Sequence, residues 1–511
     1  MKYLLGIDLG TSATKTILFT TDGKIVAQNS VEYPLYHPEE SWAEQNPEDW
    51  FNAVITTIKN VVEKSKVNAE DIKSIGLSGQ MHGLVMLDKN KSVIRNSILW
   101  CDGRTSNECN EINSILGEEN IIKITGNPAL VGFTLSKIIW VRNHEEKNYK
   151  KAEKFLLPKD YIRFKLTGEF FTEYSDASGT NLLDIKKLKW SEEILEKLNI
   201  DKKLLPEIKK SHEICGYITE EIAKLTGLST KTSVVAGAAD NAAAAIGAGV
   251  IDEGNGFMTI GTSGVIFSPI DKPIVDKGGR VHTFCSAVEN KWAILSCTLS
   301  AGQSLKWSKE ALFKEEELNN LEEKSVYKIL DEKIENIPIG ANKLFFLPYL
   351  MGERSPILDE KARGAFIGLL NSHNKYHMHR SVMEGVAYSQ RQCLDIVKEM
   401  GIQFTNLRIG GGGSVSPVWR HMFADTLNCD IETVSSSETA ALGAAILAGV
   451  GSGVYESVDL AVKRIVKSGD TIKTNIKNYE EYMKYYNIYN TLYNNLQNSF
   501  KAIAEIKTST F

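Results

Sequence analysis

A Gly-Thr-Ser turn occurs twice in this chain, each time between two short apolar stretches of strand character. The first lies in "LLGIDLGTSATKTILF", at Gly10, Thr11 and Ser12. The second lies in "GFMTIGTSGVIFSP", at Gly261, Thr262 and Ser263, about half a chain length later. Self-similarity at that spacing predicts two domains of one design, placed at 1–250 and 251–511. The length of 511 residues agrees, because it exceeds what one hydrophobic core normally supports.

The flanking residues define what the turns connect. Leu4 to Asp8 is short and apolar, Lys15 to Thr20 is rich in β-branched residues, and Asp22-Gly23 marks a hairpin into Ile25 to Asn29. The familiar phosphate loop instead runs from strand to helix and ends in Gly-Lys-Ser/Thr. The sequence holds no such motif, and no protein-kinase H-R-D or D-F-G set. A Gly-Thr-Ser turn can nevertheless hold phosphate, through consecutive backbone N–H groups and the hydroxyls of Thr11 and Ser12. Asp8, at the strand end, is then placed to hold Mg²⁺ through water; the alternative is a plain hairpin turn with Asp8 in a local hydrogen bond. Two such turns facing each other across a cleft would grip the phosphates of a nucleotide from both sides.

The two turns resemble those of the actin-like sugar-kinase superfamily. Longer stretches resemble FGGY carbohydrate kinases, and within them the xylulokinases: "SWAEQNPEDW", "GLSGQMHGLVMLD", "ILWCDGR", "ITGNPALVGFTLSKIIW", "LLPKDYIRFKLTGE", "SDASGTNLLD", "FLPYLMGERSP" and "IGGGGSVSPVWRHMFAD". The resemblance covers nearly the whole chain. It implies an α/β fold of two ribonuclease-H-like domains with an interdomain cleft. It also implies ATP and Mg²⁺ as cofactors, and phosphorylation of D-xylulose to the 5-phosphate.

For the sugar, "IKSIGLSGQMHGLVMLD" reads as a strand, a glycine-flanked loop and a second strand, and loops at strand ends are where α/β sheets place ligand contacts. His82, between Gly79 and Gly83, can donate to and accept from a polyol; it can equally be a core histidine bonded to backbone. In the xylulokinases the matching Met-His pair contacts the ketose, which makes Met81 and His82 the substrate candidates, with Gln80 beside them. Trp100 and Asp102 offer a stacking face and a polar contact. Asp102 can instead pair with Arg104 at the start of a helix near Thr105. The segment "LLPKDYIRFKLTGE" has the Pro start and Gly stop of an ordinary helix and reads as structural.

"SVVAGAADNAAAAIGAGV" (233–250) contains a single charge, Asp240, in a bed of small residues. A bare buried carboxylate costs several kcal/mol unless compensated. The alanine run after it is helix-like, so Asp240 sits at or near a helix N-terminus, where N–H groups and the dipole stabilise it. Aimed into a cleft, the same carboxylate can take the proton of a sugar hydroxyl during phosphoryl transfer. Resemblance to the family's catalytic Asp supports that role, with Asn241 as its neighbour at the substrate. The family commonly has glycines where Ala238 and Ala239 stand, so strain is expected if either position needs a positive φ.

"RIGGGGSVSPVWRHMFAD" reads as a strand, the glycines Gly410, Gly411, Gly412 and Gly413, and a helix. Glycine backbone lying against a flat adenine fits a nucleoside pocket, although a glycine run also makes a tight turn. "SSSETAALGAAILAG" follows as a helix with small residues on its inner face. The histidines of "SHNKYHMHR" read as a polar loop before a helix starting near Arg380 rather than a zinc site. The aromatic stretch 478–500 reads as an amphipathic helix packed on a domain.

Composition narrows the partners. A net charge of −5 argues against nucleic acid or an anionic membrane. Seven scattered cysteines read as reduced thiols, the opening apolar run is too short for a signal peptide, and no run reaches membrane length. A cytoplasmic enzyme is expected, its partners a small-molecule sugar and a nucleotide, with a homodimer left open. The rival readings are another FGGY kinase, acting on ribulose, gluconate, glycerol or a pentitol, and a non-catalytic ATP-gated sugar sensor.

Overall fold

The computed structural model describes residues 1–313 and 323–506. Its frame is a pair of seven-stranded mixed sheets, whose strands are β1 to β14 in chain order. In the first sheet, β1 (Tyr3–Leu9), β2 (Ala13–Thr20) and β3 (Ile25–Glu32) form an antiparallel meander. On its other side β1 runs parallel to β4 (Ile72–Gly79). Outside β4 come β5 (Ile214–Tyr217) at the edge, β6 (Ser233–Val235) parallel to β4, and the two-residue β7 (Ala238–Ala239), also parallel to β4.

The second sheet repeats this plan. Strand β8 (Asn255–Ile260) pairs antiparallel with β9 (Gly264–Ile270), and β9 with the later strand Trp292–Thr298. The latter is β11, and β10 (His282–Cys285) adds to its edge. On the other side β8 runs parallel to β12 (Asn406–Gly410), then β13 (Ile431–Val434) runs parallel and β14 (Ser468–Ile472) antiparallel. Each half thus places its Gly-Thr-Ser turn between the first two strands of the same meander. This is the two-domain α/β plan that the repeated turn predicts.

The halves are joined through small residues. The helix Thr439–Gly451 comes from the second half, yet packs across β1 and β4 of the first sheet and against the helix Asp240–Gly247. Contact is backbone to backbone: a methyl on Gly6 would fall 2.0 Å from the Ala441 carbonyl oxygen, and one on Gly443 would fall 1.9 Å from that of Ala243. Side chains would hold these surfaces apart, which explains the small-residue composition of both helices. A mixed apolar cluster including Ala242, Ile246, Ala441, Ala445 and Leu447 fills the junction.

Other sequence expectations meet the structure locally. The aromatic helix spans Ile476–Glu505 and buries Tyr482, Tyr486, Tyr489, Tyr493 and Phe500 against the second half. The helix expected to start near Arg380 starts instead at Lys375, because Asn374 and His377 form a reciprocal capping box. All seven cysteines are free thiols. No helix among the described residues is long and apolar enough to cross a membrane.

Candidate active site

Asp240 is the first residue of its helix, with Ala239 at the N-cap. Its carboxylate does not cap the turn in the usual way. One oxygen, Oδ1, accepts from the Asn241 backbone N–H at 2.6 Å and from the Asn241 side-chain amide at 2.8 Å. The side chain stays partly exposed. Burial by its surroundings, then the negative charge of Asp8, push its pKa up to about 7, against the opposing pull of the Asn241 donors. A carboxyl with a pKa near working pH has the proton affinity a general base needs. The feared strain is absent: Ala239 has φ −54°, and in this loop it is Gly237, at φ +80°, that occupies the left-handed region.

A buried ionic cluster stands behind this loop. The Ala239 N–H donates to Ser175 Oγ at 3.0 Å, and Ser175 Oγ in turn reaches Glu173 Oε1 at 2.8 Å. Lys159 Nζ lies 2.8 Å from Asp160, 3.5 Å from Asp176 and 3.7 Å from Glu173, and Arg163 lies 3.0 Å from Asp160; none of these side chains has exposed surface. Burial, only partly offset by Lys159, raises Asp176 well above the usual carboxylate range. Lys159 and Asp160 do open the helix Pro158–Thr167, as read from sequence. Their full burial beneath the Asp240 loop was not legible there.

Parallel register sets Asp8 opposite Ser78, which donates to Asp8 Oδ1 at 2.9 Å. Burial raises the Asp8 carboxyl, and nearby Glu438 adds to the effect. Lys15, on β2 beside Asp8, is tied to Glu438 at 2.9 Å. In the turn that follows, the Trp100 indole donates to Thr11 Oγ1 at 2.9 Å, Thr11 Oγ1 reaches Gln80 Oε1 at 3.3 Å, and Gln45 donates to the Thr11 carbonyl at 2.7 Å. Gln80 and Trp100 thus brace the first turn in this structure, while Ser12 is exposed beside it. Asp102 has no exposed side-chain surface. It accepts from the Ala43 N–H at 2.6 Å and pairs with Arg104 at 2.7 Å, ahead of the helix Ser106–Leu116. That geometry corrects the expectation of a sugar contact and selects the Arg104 pairing.

The His82 loop is different. His82 adopts φ +68° and stacks on Phe133 at 4.1 Å. Its Nδ1 lies 2.6 Å from the Gly179 carbonyl, which can only accept, so Nδ1 carries the proton and Nε2 is an acceptor. Burial and the charge of Lys137 hold the ring neutral. Nε2 has no hydrogen-bond partner among the described residues and is not sealed from solvent. The Asn241 amide meets Met81 Sδ at 3.9 Å, joining the sugar loop to Asp240.

The second turn backs onto a helix start: the Gly302 N–H donates to the Gly261 carbonyl at 2.8 Å and the Gln303 N–H to that of Thr262 at 3.1 Å. Gly261 and Thr262 are exposed. Burial raises the Cys297 thiol, Ser263 opposes that rise and the Asp240 charge adds to it, so the second turn and this carboxylate share Cys297 as a neighbour. The four glycines separate by role. Methyls on Gly410, Gly411 and Gly413 would meet Phe257, the Ile260 backbone and the Ile260 side chain, whereas one on Gly412 would meet nothing within 4 Å. Next to them Val415 is 74% exposed, an apolar surface beside open glycine backbone.

Comparison with known proteins identifies the family. Residues 3–247 match the N-terminal domain, and residues 256–452 the C-terminal domain, of the FGGY family of carbohydrate kinases. The chain is 41% identical to a xylulose kinase of Bacillus subtilis (strain 168) over 482 residues, 94% of this chain and 95% of that protein. It is 35% identical to a gluconokinase of the same organism over 488 residues, 94% of each chain. The crystal structure of a ligand-bound xylulose kinase from Lactobacillus acidophilus superimposes with a TM-score of 0.92 at 29% identity, covering 98% of this chain and 100% of that one. The chain belongs to the FGGY family of carbohydrate kinases.

Proposed function

We propose that the protein transfers the γ-phosphoryl group of ATP to the terminal hydroxyl of D-xylulose, with Asp240 as the general base. The observation that carries this reading is the setting of Asp240: a partly open carboxylate, pushed up to about 7 and linked through Asn241 to the Met81–His82 loop. A sugar hydroxyl bound there donates to Asp240 and becomes a nucleophile as the phosphoryl group moves. His82 Nε2 accepts from another hydroxyl and fixes the sugar. The backbone N–H groups of the turns at Thr11, Ser12, Thr262 and Ser263, with the hydroxyls of Ser12 and Thr262, hold the phosphate oxygens, and the open backbone at Gly412 beside Val415 receives the adenine.

Asp8 and Asp240 repel one another, and among the described residues neither has a cation within ion-pairing distance, a setting that suits a divalent cation. Among the described residues no group of three or more His, Cys, Asp or Glu could hold a metal. Mg²⁺ at Asp8 would therefore rest on water and phosphate oxygens, its usual preference. When bound it neutralises charge on the phosphates.

The gluconokinase relative supports a second reading, an aldonate in place of the ketose. An ADP-release assay over D-xylulose, D-ribulose, gluconate, glycerol and pentitols tests both. Preferred turnover of D-xylulose is expected. Preference for gluconate selects the second reading, and no ADP release with any of them favours an ATP-gated sensor.

A further inference from the structure

The stretch "FLPYLMGERSP" contributes a side chain that the reaction above does not use. Residues 353–355 are bolted to the end of β11. Glu353 Oε1 accepts the Leu299 N–H at 2.7 Å and the Arg354 N–H at 2.8 Å, and the Ser355 N–H donates to the Cys297 carbonyl at 3.1 Å. Ser355 Oγ donates to the Arg280 carbonyl at 2.8 Å. The Arg354 backbone is therefore fixed. Its guanidinium, partly buried, makes no hydrogen bond or ion pair among the described residues. Five N–H donors on a rigid mount without acceptors mark a place where a ligand oxygen belongs.

The position of the side chain tells which part of the ligand. Its Nη2 lies 3.6 Å from where a methyl on Gly132 would stand. Lys137 hydrogen-bonds both the Gly132 and the His82 carbonyls, so Arg354 lies against the segment that holds the sugar loop. Close by, an aromatic wall is shared between the halves, with His82 and Phe133 from the first facing His282 and Phe284 from the second. The Arg354 charge acts on His82, His282 and Lys137, and the charges of Arg354 and Asp240 both act on Cys297. Arg354 thus lies against the segment that holds the sugar loop, and it shares Cys297 as a neighbour with Asp240.

We propose that Arg354 is a substrate-binding residue supplied by the second half, donating to sugar oxygens beside the His82 loop while Asp240 holds the reacting hydroxyl. The inference rests on the sugar-kinase reading above. It makes sugar binding bridge the two halves, because the sugar then touches His82 on one and Arg354 on the other. The donor set has no acceptor, so its partner is a sugar oxygen that accepts, and an ionised carboxylate would be held more strongly than a hydroxyl or carbonyl.

Full-length Arg354→Ala and Arg354→Lys enzymes test it by steady-state kinetics. Loss of a charged hydrogen bond predicts KM for D-xylulose raised by about 10-fold or more in Arg354→Ala. Both kcat and KM for ATP should stay within about 3-fold, because uniform binding alone is lost. Arg354→Lys should recover part of the affinity, and guanidinium ion at non-denaturing concentration should partly rescue Arg354→Ala but not the parent. An unchanged sugar KM overturns the proposal, as does a fall in kcat alone, which would move Arg354 to the phosphoryl end. Parallel rises in both KM values without rescue would reduce it to a structural role. Absence of turnover in the parent enzyme would instead count against the substrate reading. Arg354 would then be judged on calorimetric binding of the panel sugar that the parent does bind, where equal affinities of parent and Arg354→Ala overturn the proposal.

Discussion

Replacing Asp240 by Asn should stabilise the ligand-free protein, and only above a certain pH. The carboxyl titrates near its ordinary 3.8 in the unfolded chain and at about 7 in the fold. That difference corresponds to a ceiling of about 4 kcal/mol. Water reaches the partly open side chain, so screening brings the expected effect to about 1–2 kcal/mol. Because the folded value is raised, the fold binds more protons than the unfolded chain between these two pH values. The cost of holding the charge is absent below about pH 4, grows as pH rises towards 7, and is complete above it. Asn keeps an acceptor for the Asn241 N–H but carries no charge. Urea unfolding of both proteins at a series of pH values from 4 to 8.5 should show coincident midpoints at the acid end and a more stable variant at the alkaline end. A variant that is equally or less stable at pH 8.5, or an offset that does not change with pH, would refute the electrostatic account of this site.

Other outcomes follow from the same geometry. His82→Ala should raise KM for the sugar more than for ATP, since its Nε2, unpartnered among the described residues, is left to accept from a sugar hydroxyl; equal effects would remove His82 from the sugar site. Gly412→Ala should leave stability within about 0.5 kcal/mol, because the methyl meets nothing, while raising KM for ATP; an unaltered ATP KM would move the adenine elsewhere. Lys159→Met should cost about 3–5 kcal/mol in denaturant unfolding, because Asp160, Glu173 and Asp176 lose their central cation without exposure to water.

Much of this was legible in sequence because it is local. Hairpins announce themselves through turn residues such as Asp22-Gly23, and the repeat of Gly-Thr-Ser needed only self-comparison. Asp240 stood out as one charge among small residues, and the helix it begins could be read from the alanines behind it. What escaped depends on distant partners. Lys159 and Asp160 look like ordinary helix-start charges, and only the return of residues 173–176 and 236–239 over them reveals a buried cluster. Trp100 and Gln80 have the chemistry of sugar contacts, yet in this fold the Trp100 indole donates to the Thr11 hydroxyl and Gln80 accepts from it. Asp102 is decided the same way, by Ala43 and Arg104. The Thr439–Gly451 helix reads as part of the second half, but glycines at Gly6 and Gly76 admit it to the first sheet. Arg354 gave no signal beyond its motif, since an unpaired side chain is visible only once all its neighbours are placed.

The most direct test joins binding to turnover in a single variant. With ATP, Mg²⁺ and D-xylulose, ADP release by Asp240→Asn should fall about 10²–10⁴-fold in kcat, while calorimetry shows D-xylulose still binding with near-parental affinity. A variant that turns over at close to the parental rate would contradict the assignment of Asp240 as the base and, with it, the mechanism built on that carboxylate.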